Sequence, residues 1–316
     1  MTGSRTTRTV VATAFGGPDV LAIRDEVVDE PGPGQVVVDI RAAGVNPFDH
    51  KLYSGAFGTD ESTLPLHLGS EASGVVSAVG RDAVGPAGPV RVGDEVIVLA
   101  DGAYADRLLV DVDAVLPKPQ ALGWEEAAGY SLTAATAYDM AELASVEEGD
   151  CVLIHGASGA VGSQAVQLAL HRGAQVIGTA NPRNLDAVRA LGAVAVAYGD
   201  GLLDRVRTAA PDGVDAALDT AGTDEAIDVS LVVVQDRTRI VTITAFGRAA
   251  DEGFRSAGGG NHESAARRKE ARLPLLELAG SVITVTVAGT FPLAEAATAH
   301  RELQTHHPRG KYVLVP

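Results

Sequence analysis

The stretch that most constrains this chain is the apolar run Cys151-Val152-Leu153-Ile154-His155, followed at once by Gly156-Ala157-Ser158-Gly159-Ala160-Val161-Gly162. The run has the length and composition of a buried strand. Beyond the glycines, Val161, Ala165, Leu168 and Ala169 fall on one face of a helix. Between strand and helix, glycines three and three apart have a mechanical reading. Gly156 permits the tight turn, Gly159 lets the backbone approach a pyrophosphate, and Gly162 lets the helix pack close to the strand. The helix start then offers N–H groups and a positive dipole end to phosphates. Residues 151–178 are therefore expected to hold a dinucleotide through Gly156, Ser158, Gly159, Ala160, Val161 and Gly162. The alternative is a structural turn in a flavodoxin-like domain without this ligand.

Around this stretch, helix and strand alternate from about residue 123. Trp124 to Leu143 reads as a helix in two pieces. Strand-like 151–155, 175–179 and 194–198 are separated by helix-like 161–172 and 184–191. Further strand-like runs are Val214–Asp219, Arg239–Thr244 and Val282–Val285, and Gly247 to Ala266 reads as a mobile loop. Such alternation indicates an α/β fold with a doubly wound parallel sheet. Residues 9–120 differ. Short β-like runs (36–40, 74–79, 95–99) are broken by Pro31-Gly32-Pro33-Gly34 and Gly93-Asp94, which suggests an irregular β-rich domain. A helical run from Leu293 to Leu303 and the strand-like Lys311–Val315 close the chain.

The cofactor follows from what stands after the second strand. An NAD site places an acid about 20 residues beyond the turn, on the ribose. Here Val176-Ile177-Gly178 runs into Thr179-Ala180-Asn181-Pro182-Arg183, with no acid. Thr179, Arg183 and Tyr198, which ends the third strand, suit a 2′-phosphate, so NADPH is expected. Thr136, Thr220, Ala221, Phe246 and Lys311 are further cofactor candidates; Thr220-Ala221-Gly222 and Phe246-Gly247 end strand runs, where ligands bind in such sheets.

Composition excludes several classes. Asp+Glu number 41 against 25 Lys+Arg, a net charge of −16, which repels nucleic acid and anionic membranes. One cysteine, Cys151, rules out an internal disulfide or a multi-cysteine zinc lobe. The N-terminal MTGSRTTRTV lacks a following apolar segment, and no apolar run reaches membrane length, so a soluble cytoplasmic protein is expected.

The ordered set of motifs resembles the medium-chain dehydrogenase/reductase superfamily, and within it the zinc-free quinone oxidoreductases and enone reductases. The motifs are Ala42-Ala43-Gly44-Val45-Asn46-Pro47-Phe48-Asp49, Gly69-Ser70-Glu71-Ala72-Ser73-Gly74, Val92-Gly93-Asp94-Glu95-Val96, Gly102-Ala103-Tyr104-Ala105-Asp106, Thr136-Ala137-Tyr138, the glycine turn and Arg309-Gly310-Lys311. Ser131 departs from the usual proline, and 247–272 is hard to align. The resemblance implies a GroES-like first domain (1–122), a Rossmann NADPH-binding domain (123–288), a return to the first domain (289–316), and a homodimer.

In zinc-using relatives three ligands stand where this chain has Asn46, Ser70 and Leu132, and a hydroxyl relay where it has Phe48. That set does not suit zinc, so no metal is expected. Hydride acceptors that need no metal are already electron-poor: a quinone or an α,β-unsaturated carbonyl. The protein then aligns the reactants and places donors near the developing oxyanion. Asn46, Lys51 and Tyr53 are the catalytic candidates: Asn46 beside nicotinamide and substrate, Lys51 for an enolate or a proton, Tyr53 lining the pocket. Two other readings stay open, an enoyl-thioester reductase of the same superfamily and a non-catalytic NADPH-binding sensor or structural protein.

Overall fold

A computed structural model describes residues 5–258, 260–306 and 308–316. By its internal contacts the chain divides into Met1–Leu132 with Val285–Pro316, and Thr133–Thr284.

The first unit is built on β-sheet. Its seven-stranded sheet runs Val115–Pro117, Glu95–Val98, Ala72–Val79, Gln35–Gly44, Lys311–Val315 and Val287–Pro292, with Arg107–Asp111 also paired to Gln35–Gly44. Val36, Val38 and Ile40 alternate along their strand and are buried, as a sheet with one face on a core requires. They join Val76, Val96, Leu68, Tyr104, Leu293 and Leu314 in one cluster. The C-terminal strand pairs antiparallel with the end of Gln35–Gly44, Val313 opposite Gly44 and Leu314 opposite Ala43. That pairing brings Lys311 to Glu71 and Asn46, 240 and 265 positions earlier, by a route no local pattern reveals.

The second unit carries a six-stranded parallel sheet in the order Val194–Ala197, Gln175–Ala180, Cys151–His155, Ala216–Asp219, Ile240–Thr242, Arg255–Ser256. This is the doubly wound order, and the direction in which successive strands are added reverses between Cys151–His155 and Ala216–Asp219, all strands staying parallel. Ligands of such sheets bind at that switch point, beyond the strand ends. Leu153, Ile177, Ala217, Ile227 and Ile240 fill the core on one face.

Two expectations fail here. Residues 247–266 are not a loop: Phe246–Glu252 and His262–Glu277 are helices, with a short strand, Arg255–Ser256, between them. Alanine, arginine, lysine and glutamate are good helix formers. Gly253 ends the first helix at φ +76°, and Asn261 caps the second through Glu263 and Ser264 N–H. Val282–Val285 is not a strand either; only Ile283 makes a single bridge, to Ala279. Among the described residues no helix is long and apolar enough to cross a membrane.

Candidate active site

In the second unit the glycine turn has the geometry its sequence requires. Gly156 sits at φ +75°. A Cβ on Gly162 would lie 2.2 Å from the Gly156 carbonyl oxygen, so only glycine lets helix and turn approach this closely. A Cβ on Gly159 would meet only that same oxygen, at 3.3 Å. Gly159 is the N-cap of the helix Ala160–His171 and has no side chain to cap it. The first-turn N–H groups of Ala160, Val161 and Gly162 are left for an anion. Ser158 is half-buried beside them and accepts from Asn184 Nδ2 at 3.3 Å. These residues fit a dinucleotide pyrophosphate.

At the end of the second strand the candidates separate. Asn181 Nδ2 donates to Tyr198 Oη at 2.9 Å, and Asn181 Oδ1 accepts from the Arg183 N–H at 3.1 Å. Arg183 and Tyr198 are both exposed there. Thr179 is different: it is buried, and its hydroxyl meets His155 Nδ1 at 3.0 Å inside the unit. Its expected contact with the cofactor is therefore corrected. Ser230 Oγ donates to the Ala226 carbonyl and so accepts from His155 Nε2, leaving Nδ1 to accept from Thr179. His155 is thus neutral, and burial pulls it down to about 4.

The strand ends at the switch point are tied by a residue that the sequence reading passed over. Asp219, fully buried, accepts from the Ala221 and Gly222 N–H groups (3.0 and 2.9 Å) and from the Thr242 and Thr244 hydroxyls (2.7 and 3.2 Å). One carboxylate therefore sets two loops. Ala221 spends its N–H on Asp219, and Thr220 donates to the His155 carbonyl at 2.7 Å, bracing the turn from behind. Phe246 begins a helix rather than ending a strand, and Thr136 is buried on the helix Ser131–Leu143. A buried acid closing a strand just before Thr-Ala-Gly was the available clue to Asp219.

In the first unit, Asn46 precedes the helix Pro47–Tyr53. Its N–H is held by Asp49 Oδ2 at 2.9 Å, while its side chain turns to a buried ion pair. Lys311 Nζ donates to Asn46 Oδ1 at 2.5 Å and to Glu71 Oε1 at 2.6 Å, and Asn46 Nδ2 donates to Glu71 Oε1 at 3.3 Å. Lys311 therefore sits in this cluster and not on a phosphate, which corrects its reading as a cofactor ligand. Tyr53 is also corrected: it is fully buried, its hydroxyl 3.0 Å from His300 Nδ1, and it lines core rather than pocket. Lys51 lies half-buried on the same helix, and among the described residues its ammonium has no hydrogen bond or ion pair. Phe48 and Phe57 are exposed with ring centroids 5.7 Å apart.

Ser70 Oγ donates to Asp49 Oδ1 at 2.9 Å. Asp49 is buried, which pushes its carboxyl up to about 6 although Tyr104, the Asn46 N–H and Ser70 all favour the anion. An amide, a hydroxyl and the alkyl chain of Leu132 do not make a zinc donor set, and among the described residues no three His, Cys, Asp or Glu side chains gather as one.

Comparison with known proteins agrees with this geometry. Residues 32–120 match the model of the alcohol dehydrogenase GroES-like domain, and residues 191–314 that of the zinc-binding dehydrogenase. The chain is 31% identical to a quinone oxidoreductase of Pseudomonas aeruginosa over 96% of its own length and 98% of that protein's. The chain belongs to the medium-chain dehydrogenase/reductase family. Within this family it is also 29% identical to the chloroplastic NADPH-dependent alkenal/one oxidoreductase of Arabidopsis thaliana, over 97% of this chain and 78% of that one. The solved Escherichia coli quinone oxidoreductase complexed with NADPH superposes with a TM-score of 0.84 at 28% identity, covering 98% of this chain and 100% of that one. A longer relative, the spectinabilin polyketide synthase system protein NorB of Streptomyces orinoci, is 38% identical over 242 residues, 73% of this chain, which spans only 10% of NorB.

Proposed function

We propose that this protein is an NADPH-dependent, zinc-independent oxidoreductase that reduces a quinone or an α,β-unsaturated carbonyl. The observation that carries the reading is the end of the second parallel strand. Where an acid would select NAD, Asn181 gathers Tyr198 and the Arg183 backbone beside an exposed guanidinium. Arg183 and Tyr198 would take the 2′-phosphate, and Gly156 to Gly162 the pyrophosphate. NADPH, when bound, supplies a hydride.

The chain's own part is to bind and orient. Asp219 fixes the Thr220–Gly222 and Thr242–Ala245 loops at the strand ends. Asn46 is held rigid by the Lys311–Glu71 ion pair, and Lys311 polarises its amide through Oδ1. Lys51 is the cation for negative charge developing on an acceptor oxygen. The donor set at Asn46, Ser70 and Leu132 supports an acceptor that needs no Lewis acid. The relatives' names, quinone oxidoreductase and alkenal/one oxidoreductase, support the same two acceptor classes.

A second reading, reduction of an enoyl thioester, is favoured by the likeness to NorB, since polyketide chains are carried as thioesters. NADPH consumption measured with a quinone, an enone and an enoyl thioester separates the two. Turnover of the first or second at a kcat/KM above that for the thioester supports the main reading. The reverse order supports the second. Tight NADPH binding with no turnover would favour a non-catalytic sensor or structural protein.

A further inference from the structure

Ser70, Asp49, Tyr104, His300 and Tyr53 form one hydrogen-bonded line in the first unit, and binding of cofactor and acceptor uses none of them. Its polarity follows from counting protons. Tyr104 Oη donates to Asp49 Oδ2 at 2.8 Å, so it accepts from His300 Nε2 at 3.3 Å. His300 is then the Nε2–H tautomer, and its Nδ1 accepts from Tyr53 Oη at 3.0 Å. Ser70 Oγ donates to Asp49 Oδ1. Every proton in the line points towards the Asp49 carboxyl. Asp49, Tyr104, His300 and Tyr53 are fully buried and Ser70 is half-buried, so the line opens at Ser70.

The two carboxyl oxygens differ. Among the described residues Oδ2 takes two donors, the Asn46 N–H and Tyr104, whereas Oδ1 takes Ser70 alone. A proton added to the carboxyl therefore goes to Oδ1. Once there, it reverses one bond: Asp49 donates to Ser70, and the serine's own proton is free to leave the network. Burial favours this protonated state against Lys311 and Tyr104, which favour the anion; Glu71 and Tyr53 face Tyr104, and His300 is kept neutral by burial. Asn46 and Ser70 hang on opposite oxygens of the same carboxyl, which keeps the hydroxyl beside the residue the first unit's site is built on.

We infer that Ser70, recharged by Asp49, donates the proton that completes reduction of the acceptor, an inference that rests on the function proposed above. Hydride addition at the β-carbon of an enone leaves an enolate. Its electron pair takes the Ser70 Oγ proton at the α-carbon, Ser70 Oγ takes the Asp49 Oδ1 proton, and the carboxylate is reprotonated by water after product leaves. The sum is one hydride and one proton added across the double bond. Ser70 is the catalytic residue of this step and Asp49 a positioning residue behind it.

The test is reduction of an α-substituted enone with NADPH in D2O, with wild type, Ser70→Ala and Ser70→Thr. The wild type should deliver solvent deuterium to one face of the α-carbon, with kcat falling as pH rises through about 6. Ser70→Ala should lower kcat about 100-fold with KM little changed, scatter deuterium over both faces and lose that pH limb. Ser70→Thr, which keeps the hydroxyl, should restore one-face delivery. Difference infrared spectra of the protein alone should show a carboxylic-acid band titrating near pH 6 that disappears in Asp49→Asn. Wild-type kcat and one-face delivery by Ser70→Ala, or no such band, would overturn the relay and leave the activity standing. No turnover of any quinone or enone by the wild type would remove both.

Discussion

Lys311 Nζ lies 2.6 Å from Glu71 Oε1, and neither side chain reaches solvent. The pair joins the C-terminal strand to the segment before Ala72–Val79, and it holds Asn46. Two charges taken out of water together are tolerable, but one alone is not. Lys311→Met and Glu71→Gln are each expected to cost about 3–5 kcal/mol, and the double variant at least about 2 kcal/mol less than their sum. Urea unfolding of the four proteins measures this cycle; additive losses would show that the pair is not coupled.

The glycine turn makes a graded prediction. Ala at Gly162 would place its Cβ 2.2 Å from a backbone oxygen, and Ala at Gly159 would place it at 3.3 Å. Gly162→Ala should weaken NADPH binding about 100-fold or more and lower the unfolding temperature, because strand and helix must separate. Gly159→Ala should leave stability nearly unchanged and weaken only binding, where the pyrophosphate approaches the backbone. Fluorescence titration with NADPH beside thermal unfolding distinguishes the two effects.

Arg183→Ala should raise the Kd for NADPH about 10-fold to 100-fold, the worth of a charge-assisted contact to phosphate, and leave the Kd for NADH unchanged. Equal losses for both cofactors would place the guanidinium away from the 2′-phosphate.

Stability should depend on pH with a sign set by three buried groups. His155 and His300 are each held at about 4 by burial, below their unfolded value, so acid protonates the unfolded chain first and stability falls as pH drops from 7 to 5. Asp49, raised to about 6, works the other way over the same range, because the folded state binds its proton first. Two groups against one leave a net loss of roughly 2 kcal/mol between pH 7 and pH 5. Asp49→Asn should deepen that loss by about 1 kcal/mol, since the opposing group is gone. Urea unfolding at several pH values reads both slopes.

Much of this was legible in the sequence. The strand–turn–helix at Cys151–His171 and the run of parallel strands after it are local, periodic and closed by glycines, so pattern alone places them. Side-chain direction is another matter. Val176 to Ala180 is buried on both faces, so no polar alternation marks Thr179 as pointing inward to His155. Lys311 finds Glu71 across 240 residues, and Tyr53 finds His300 across 247, through a strand pairing and a helix that no short window contains. In 247–266 glycine and charge suggest a loop, whereas Gly247 lies within a helix, Gly253 ends it and Asn261 caps the next.

A hydride acceptor that is already electron-poor needs no metal. Chelator-treated protein should be given NADPH with a conjugated acceptor, a quinone or an enone, and in parallel with the saturated ketone of the same carbon skeleton as that enone. NADPH oxidation with the conjugated acceptor should be rapid and unchanged by chelation, and turnover of the saturated ketone at least about 100-fold slower. Turnover that appears only when zinc is restored, or that favours the saturated ketone, would overturn the metal-free mechanism.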